Sequence, residues 1–322
     1  MQFEHRQFKI EGFDIISLSC NDQLKNHHME IWVIPGFGMN LCKYRFNEHT
    51  IIEFDALELR EVFYGTPLLY PTPNRVYEGK FSYNGREYPQ IKNGKLITIH
   101  GLLHNEPFEG VKISRTEESI SVSAHVDFNE NSHLYSAFPF DHRITVTYTL
   151  DKSGVRFDYE IENRQPWEAV PYGIALHPYF AKLDGEEGTL IKAPFEKTYE
   201  TTETLHPTGK LSEVNGLTDL REFRPAGELR LDTVYTGNPD NEPAVIVYSR
   251  SGIQLILRCS SDFTHMVIYT PEGKPYFCLE NQTCATNAHN LYSQGMEEVS
   301  GLKFVNPGSK SGGFVRFDIK KI

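Results

Sequence analysis

Between residues 120 and 128 the chain alternates without a break. Ile120, Val122, Ala124, Val126 and Phe128 are apolar, and Ser121, Ser123, His125 and Asp127 between them are polar. A period of two sends successive side chains to opposite faces, so such a run suits a half-buried strand and not one stripe of a helix. Residues 143–150 repeat the pattern, with Ile144, Val146, Tyr148 and Leu150 on one face. Residues 155–161 do so again with Val155, Phe157, Tyr159 and Ile161, after a turn at Asp151, Lys152, Ser153 and Gly154. Residues 244–248, 253–257 and 314–319 are further strand candidates. Asn84-Gly85 predicts a tight hairpin between residues 79–83 and 86–88, and Ser251-Gly252 and Pro271-Glu272-Gly273 mark other turns.

Helical periodicity is almost absent, and residues 51–61 are the best short-helix candidate. No low-complexity linker divides the chain and no fixed-period repeat runs through it. The reading is therefore all-β: one large antiparallel β-sandwich, a single domain over residues 1–322. An apolar content of 39% suffices for a sizeable core. The formal net charge of -11 and the lack of a basic stripe argue against nucleic acid as a partner, and fit a small neutral ligand. Five cysteines (Cys20, Cys42, Cys259, Cys278 and Cys284), with no CxxC pair, predict reduced core thiols and no zinc site or disulfide framework. Met1 to Arg6 is polar, no apolar run follows it and none approaches membrane-spanning length, so no membrane association and a cytoplasmic location are expected.

Two stretches stand out chemically. Gly173-Ile174-Ala175-Leu176-His177-Pro178-Tyr179-Phe180 places an imidazole before a proline, which disfavours the α region for His177, and beside aromatic bulk able to desolvate it. Tyr276-Phe277-Cys278-Leu279 is an apolar strand that runs out at Glu280. One group can donate a proton near neutral pH and the other can accept one. Ordinary alternatives stand beside both, a packing histidine and a solvated carboxylate at a strand end. His206-Pro207 shares the dipeptide of His177 but leads into the polar turn Thr208-Gly209-Lys210, and reads as structural. Arg75, after the rigid entry Pro71-Thr72-Pro73, could present its fork of donors to hydroxyls or pair with a carboxylate. His100 precedes Gly101, which permits close approach of backbone or ligand. His104 lies four residues on, but that spacing favours a metal only on a helix, which Gly101 argues against, so no metal is assigned. Asp232, set between apolar residues, could accept bonds from hydroxyls or cap a turn.

In their order along the chain these pieces resemble the aldose 1-epimerase (galactose mutarotase) family. The similarity is carried by Tyr70-Pro71-Thr72-Pro73-Asn74-Arg75-Val76, the hairpin at Asn84-Gly85, Ile99-His100-Gly101, Leu176-His177-Pro178-Tyr179-Phe180, Leu231-Asp232-Thr233-Val234-Tyr235, Cys278-Leu279-Glu280 and Thr286-Asn287-Ala288-His289-Asn290. The resemblance implies a galactose mutarotase-like supersandwich with a sugar cleft on one sheet. It implies Glu280 as general base, His177 as general acid, and Arg75, His100 and Asp232 as the residues that hold the sugar. The reaction implied is interconversion of the α and β anomers of a hexose by ring opening and closure, with no cofactor, in a monomer or homodimer. Two departures accompany it: Asn281 stands where the family usually has proline, and Leu102 where many members have a second glycine. The stretch from His100 to His104 leans towards a divergent branch that includes epimerases of phosphorylated hexoses. A carbohydrate-binding or sensing protein on the same sandwich is the alternative from another class. A glycosidase would need a second carboxylate in a comparable setting, and none is found.

Overall fold

The computed structural model describes residues 1–22 and 27–322. Among these, antiparallel strands account for most of the regular structure. A five-stranded meander runs in sequence order through Gln2–Ile10, Phe13–Asp22, His27–Ile34, Asn40–Phe46 and His49–Ile52. A nine-stranded sheet contains the alternating runs, with Ser119–Phe128, His142–Asp151 and Gly154–Asn163 adjacent in register and Lys310–Lys321 and Ile253–Cys259 continuing it. Burial along Ser119–Phe128 and His142–Asp151 alternates residue by residue, as the period of two requires.

A third, eight-stranded sheet positions the site. Its central strands are Asp232–Thr236, His265–Tyr269 and Tyr276–Gln282, the last flanked by the short strands Ala175–Leu176 and Tyr179–Ala181. One face of this sheet sends Tyr235, Met266, Ile268, Phe277 and Leu279 into the main core, where they join Leu18 and Ile31 of the meander and Val122, Ile144 and Leu255 of the nine-stranded sheet. The other face presents Asp232, Val234, Val267, Tyr269, Cys278 and Glu280, by strict alternation along the same three strands. The sandwich thus turns one side of this sheet inward and leaves the other to build a site.

Two expectations change in detail. The strand through Tyr276 does not stop at Leu279 but continues to Gln282, so Glu280 lies within it and not at its end. Of residues 51–61, the first part belongs to the strand His49–Ile52 and only Ala56–Glu61 is helical, capped by Asp55, whose carboxylate accepts from the backbone of Leu57 and Glu58. No helix among the described residues is long and apolar enough to cross a membrane.

Candidate functional site

Strand register brings His177 and Glu280 together. Ala175 pairs with Gln282 and Tyr179 with Cys278, so two residues in from either end His177 falls opposite Glu280. The imidazole Nε2 lies 3.2 Å from Glu280 Oε1. His177 is held between the two short strands by its backbone N–H, which donates to Pro67 O at 3.1 Å. Its ring stacks on Tyr179 at 4.8 Å between centroids, with the planes 9° apart. Gln282, two residues beyond Glu280 on the same face, donates from Nε2 to Glu280 Oε2 at 3.2 Å.

Both groups are buried, Glu280 to 1% exposure. Burial drives the His177 pKa down to about 3 and the Glu280 pKa well above the usual carboxylate range, the latter aided by the charge of Asp232 and opposed by Gln282 and Arg75. The neighbouring carboxylate therefore does not by itself keep His177 protonated. Desolvation penalises the charged form of both partners, so the proton they share favours the carboxyl.

Arg75 and Asp232 stand at the more open edge, with Arg75 Nη2 3.0 Å from Asp232 Oδ2. Asn74, at φ 57°, fixes the start of the arginine side chain, since Asn74 Oδ1 accepts from both Arg75 N and Arg75 Nη1. The backbone of Arg75 bridges Ile99, and His100 N–H donates to Asn74 O at 2.8 Å, so the arginine and the neighbouring histidine are carried on one pinned corner. His100 meets His177 edge to face at 5.2 Å and Phe63 at 4.4 Å, and Phe63 in turn meets His104 at 4.6 Å. The ring row His104, Phe63, His100, His177, Tyr179 is continuous. His100 is almost fully buried, its Nδ1 has no hydrogen-bond partner, and burial pushes its pKa well below that of a free imidazole.

The five residues singled out in the sequence thus converge. His177 contacts Glu280 and His100, Arg75 pairs with Asp232, and the charges of Asp232 and Arg75 act on Glu280. Three neighbours were missed. Tyr269 pairs across the sheet with both Asp232 and Cys278 and shares their face. Gln282 and Phe63 touch Glu280 and His100 directly. Only the cross-strand register reveals Tyr269, whereas the i, i+2 spacing of Glu280 and Gln282 was available as a signal. The turn expected at Thr208-Gly209-Lys210 is instead part of the strand Pro207–Glu213, and His206 directly precedes it, bonded to Thr204 and edge-on to the exposed Tyr77; burial, with the Arg75 charge adding to it, lowers its pKa.

Neither departure from the family pattern enters this face. Asn281 pairs with Met266 on the core side of its strand, the opposite side from Glu280. Leu102 is fully buried in the main core.

This arrangement can take a proton from one oxygen and give one to another nearby, with hydroxyl-binding groups at its edge. The family model for Aldose 1-epimerase matches residues 23–315. The uncharacterized protein YihR of Escherichia coli (strain K12) is 24% identical over 295 residues, covering 88% of this chain and 91% of its own. Human galactose mutarotase is 31% identical over 157 residues, 46% of this chain and 43% of its own. The crystal structure of a galactose mutarotase-like protein from Clostridium acetobutylicum superposes with a TM-score of 0.82 at 20% identity, covering 99% of both chains. Galactose 1-epimerase from Lactobacillus acidophilus NCFM superposes with a TM-score of 0.77 at 15% identity, again over 99% of both. With a galactose mutarotase-like fold and a family match across most of its length, the chain belongs to the aldose 1-epimerase family.

Proposed function

We propose that the protein interconverts the α and β anomers of a free hexose, with Glu280 and His177 as the acid–base pair and Arg75, His100 and Asp232 holding the sugar. The observation that carries this is the 3.2 Å approach of His177 Nε2 to Glu280 Oε1, both buried, on one face of the sheet. The anomeric hydroxyl oxygen and the ring oxygen are bonded to the same carbon, so a base and an acid on neighbouring strands can reach both.

In ring opening, Glu280 as carboxylate takes the proton of the anomeric hydroxyl. The C1–O bond to the ring oxygen breaks, a carbonyl forms at C1, and His177 as imidazolium protonates the released oxygen. Rotation about C1–C2 presents the other carbonyl face, and reversal of both transfers closes the opposite anomer. The pair carries one proton before and after each half, on the carboxyl at rest and on the imidazole when a sugar hydroxyl bonds the carboxylate. Each positioned transfer supplies about 10²–10⁴-fold. The guanidinium at the edge is already matched by Asp232 at 3.0 Å, so the ligand meets an electrically balanced rim, which supports a neutral hexose over a phosphorylated one.

Polarimetry on freshly dissolved α-glucose and α-galactose tests the proposal. Wild type accelerates the approach to anomeric equilibrium, and Glu280→Gln and His177→Asn each abolish most of that acceleration while the sugar still binds. Wild-type protein that binds sugar with no acceleration would make the chain a sensor, and an unchanged rate in Glu280→Gln would remove Glu280 as the base.

A further inference from the structure

The backbone from His100 to Glu106 carries the His100 ring, and at His100 it is held in a conformation a side-chain-bearing residue rarely adopts. His100 and Gly101 both lie in the left-handed region, at φ 66° and 68°. A residue with a Cβ stays there only when its surroundings hold it. Two backbone bonds do part of this, His100 N–H to Asn74 O and Leu102 N–H to Tyr70 O at 2.6 Å.

The rest comes from a charged group outside the sugar-binding face. Lys92, in the two-residue strand Ile91–Lys92, donates from Nζ to Leu102 O at 2.7 Å and to Asn105 Oδ1 at 2.8 Å, and pairs with Glu106 Oε2 at 2.7 Å. An ammonium has three N–H bonds and all three are used. The Lys92 and Glu106 side chains are each only 8% exposed, and the other oxygen of Glu106 lies 2.9 Å from His133 Nε2. A lysine so buried is tolerable only when fully bonded, so its position and that of Leu102 and Asn105 fix one another. The site senses this charge, since Lys92 adds to burial in lowering the pKa of His104, which packs on Phe63 beside His100.

We propose that Lys92 is a positioning residue for sugar binding: by tying Leu102 and Asn105 to Glu106 it sets the direction in which His100 faces the cleft. This rests on the reading of His100 as a sugar ligand. The Lys92–Glu106 pair touches neither His177 nor Glu280 and reaches them only through the edge-to-face contact of His100 with His177, so its loss falls mainly on binding.

The test is the double variant Lys92→Met/Glu106→Gln, which removes both charges together and leaves no unpaired ion in the interior. Circular dichroism and thermal melting establish that it folds. Polarimetry is expected to give KM raised about tenfold with kcat within about twofold of wild type, the signature of a lost binding contact. Imidazole ¹H–¹⁵N spectra of the sugar-free protein, with the His100 signals assigned by a His100→Gln variant, are expected to show those signals displaced. Lys92→Arg, which keeps the charge and the donors, recovers most of the affinity. Should the double variant not fold, Asn105→Ala removes one of the three acceptors and leaves the ion pair; a smaller rise in KM and the same displacement are then expected. A folded variant with wild-type KM and unmoved His100 signals overturns the proposal. If wild type itself interconverts no sugar, the functional reading falls, and the His100 signals alone decide: displaced, Lys92 positions the ring; unmoved, it does not.

Discussion

Gln282 donates from Nε2 to Glu280 Oε2 at 3.2 Å, one pleat along the same strand, and both residues are buried. The bond stabilises the carboxylate form against the larger effect of burial. Hydrogen bonds to charged groups contribute about 1.5–3 kcal/mol, which corresponds to one to two pH units. The high-pH limb of the rate profile marks loss of the last proton from the His177–Glu280 pair, a state in which Glu280 is an anion whichever group held that proton. Gln282→Leu makes that anion less stable. Its high-pH limb is expected to move up by about one unit, with a lower rate at pH 7. Measuring kcat/KM by polarimetry from pH 5 to 9 checks this, and coincident limbs in variant and wild type would remove Gln282 from the mechanism.

Gly101 is a second point of constraint. At φ 68° an added Cβ would come within 2.3 Å of Tyr70 O, backbone that cannot swing aside. Gly101→Ala therefore carries both a left-handed conformation and a steric clash, for a loss of more than about 1 kcal/mol. Urea unfolding measures the loss directly. Activity is expected to drop as well, because the displaced backbone carries His100. A variant as stable and active as wild type would contradict this account of the corner.

Acid is expected to destabilise the fold through buried histidines other than His177 and His100. Burial lowers the pKa values of His142 and His289 to about 4 and of His265 to about 3. His142 is enclosed by Tyr70 OH and Phe140 O, each 2.6 Å from a ring nitrogen, and His265 by Tyr199 OH and Thr264 Oγ1, each 2.8 Å away. Unfolded, each histidine takes its proton near pH 6.5; folded, it resists until about pH 4 or below. Across that window the unfolded chain binds more protons, so stability falls as the pH falls, by up to about 1.4 kcal/mol per pH unit for each group. The urea midpoint at pH 5 should lie clearly below that at pH 7.5. Equal midpoints would show that these imidazoles are not held neutral.

How far the sequence disclosed this architecture depended on exposure. Ser119–Phe128 was legible because one face is wet and one is dry, and the alternation survives in the residue types. Tyr276–Gln282 is buried on both faces, so its alternation is erased and Glu280 looked like a strand end. His177 and Glu280 stood out singly, but their contact depends on the pairing of strands far apart in the chain, which no local pattern encodes. The same holds for Tyr269, placed beside Asp232 only by register. Nothing in the residue pattern marked Lys92 or Glu106, and only packing shows both to be enclosed. The helix Ala56–Glu61 was overextended because the preceding Ile51 and Ile52 fit either period; the capping Asp55 was the better marker of where it starts.

The row of rings from His104 through Phe63, His100 and His177 to Tyr179 braces one wall of this face by mutual contact. Planar groups wedged against one another have few alternative rotamers to visit. An arriving ligand then loses little of its binding free energy to ordering the surface that receives it. On the function proposed above, discrimination among sugars falls instead to the direction of a few heteroatoms projecting from that wall.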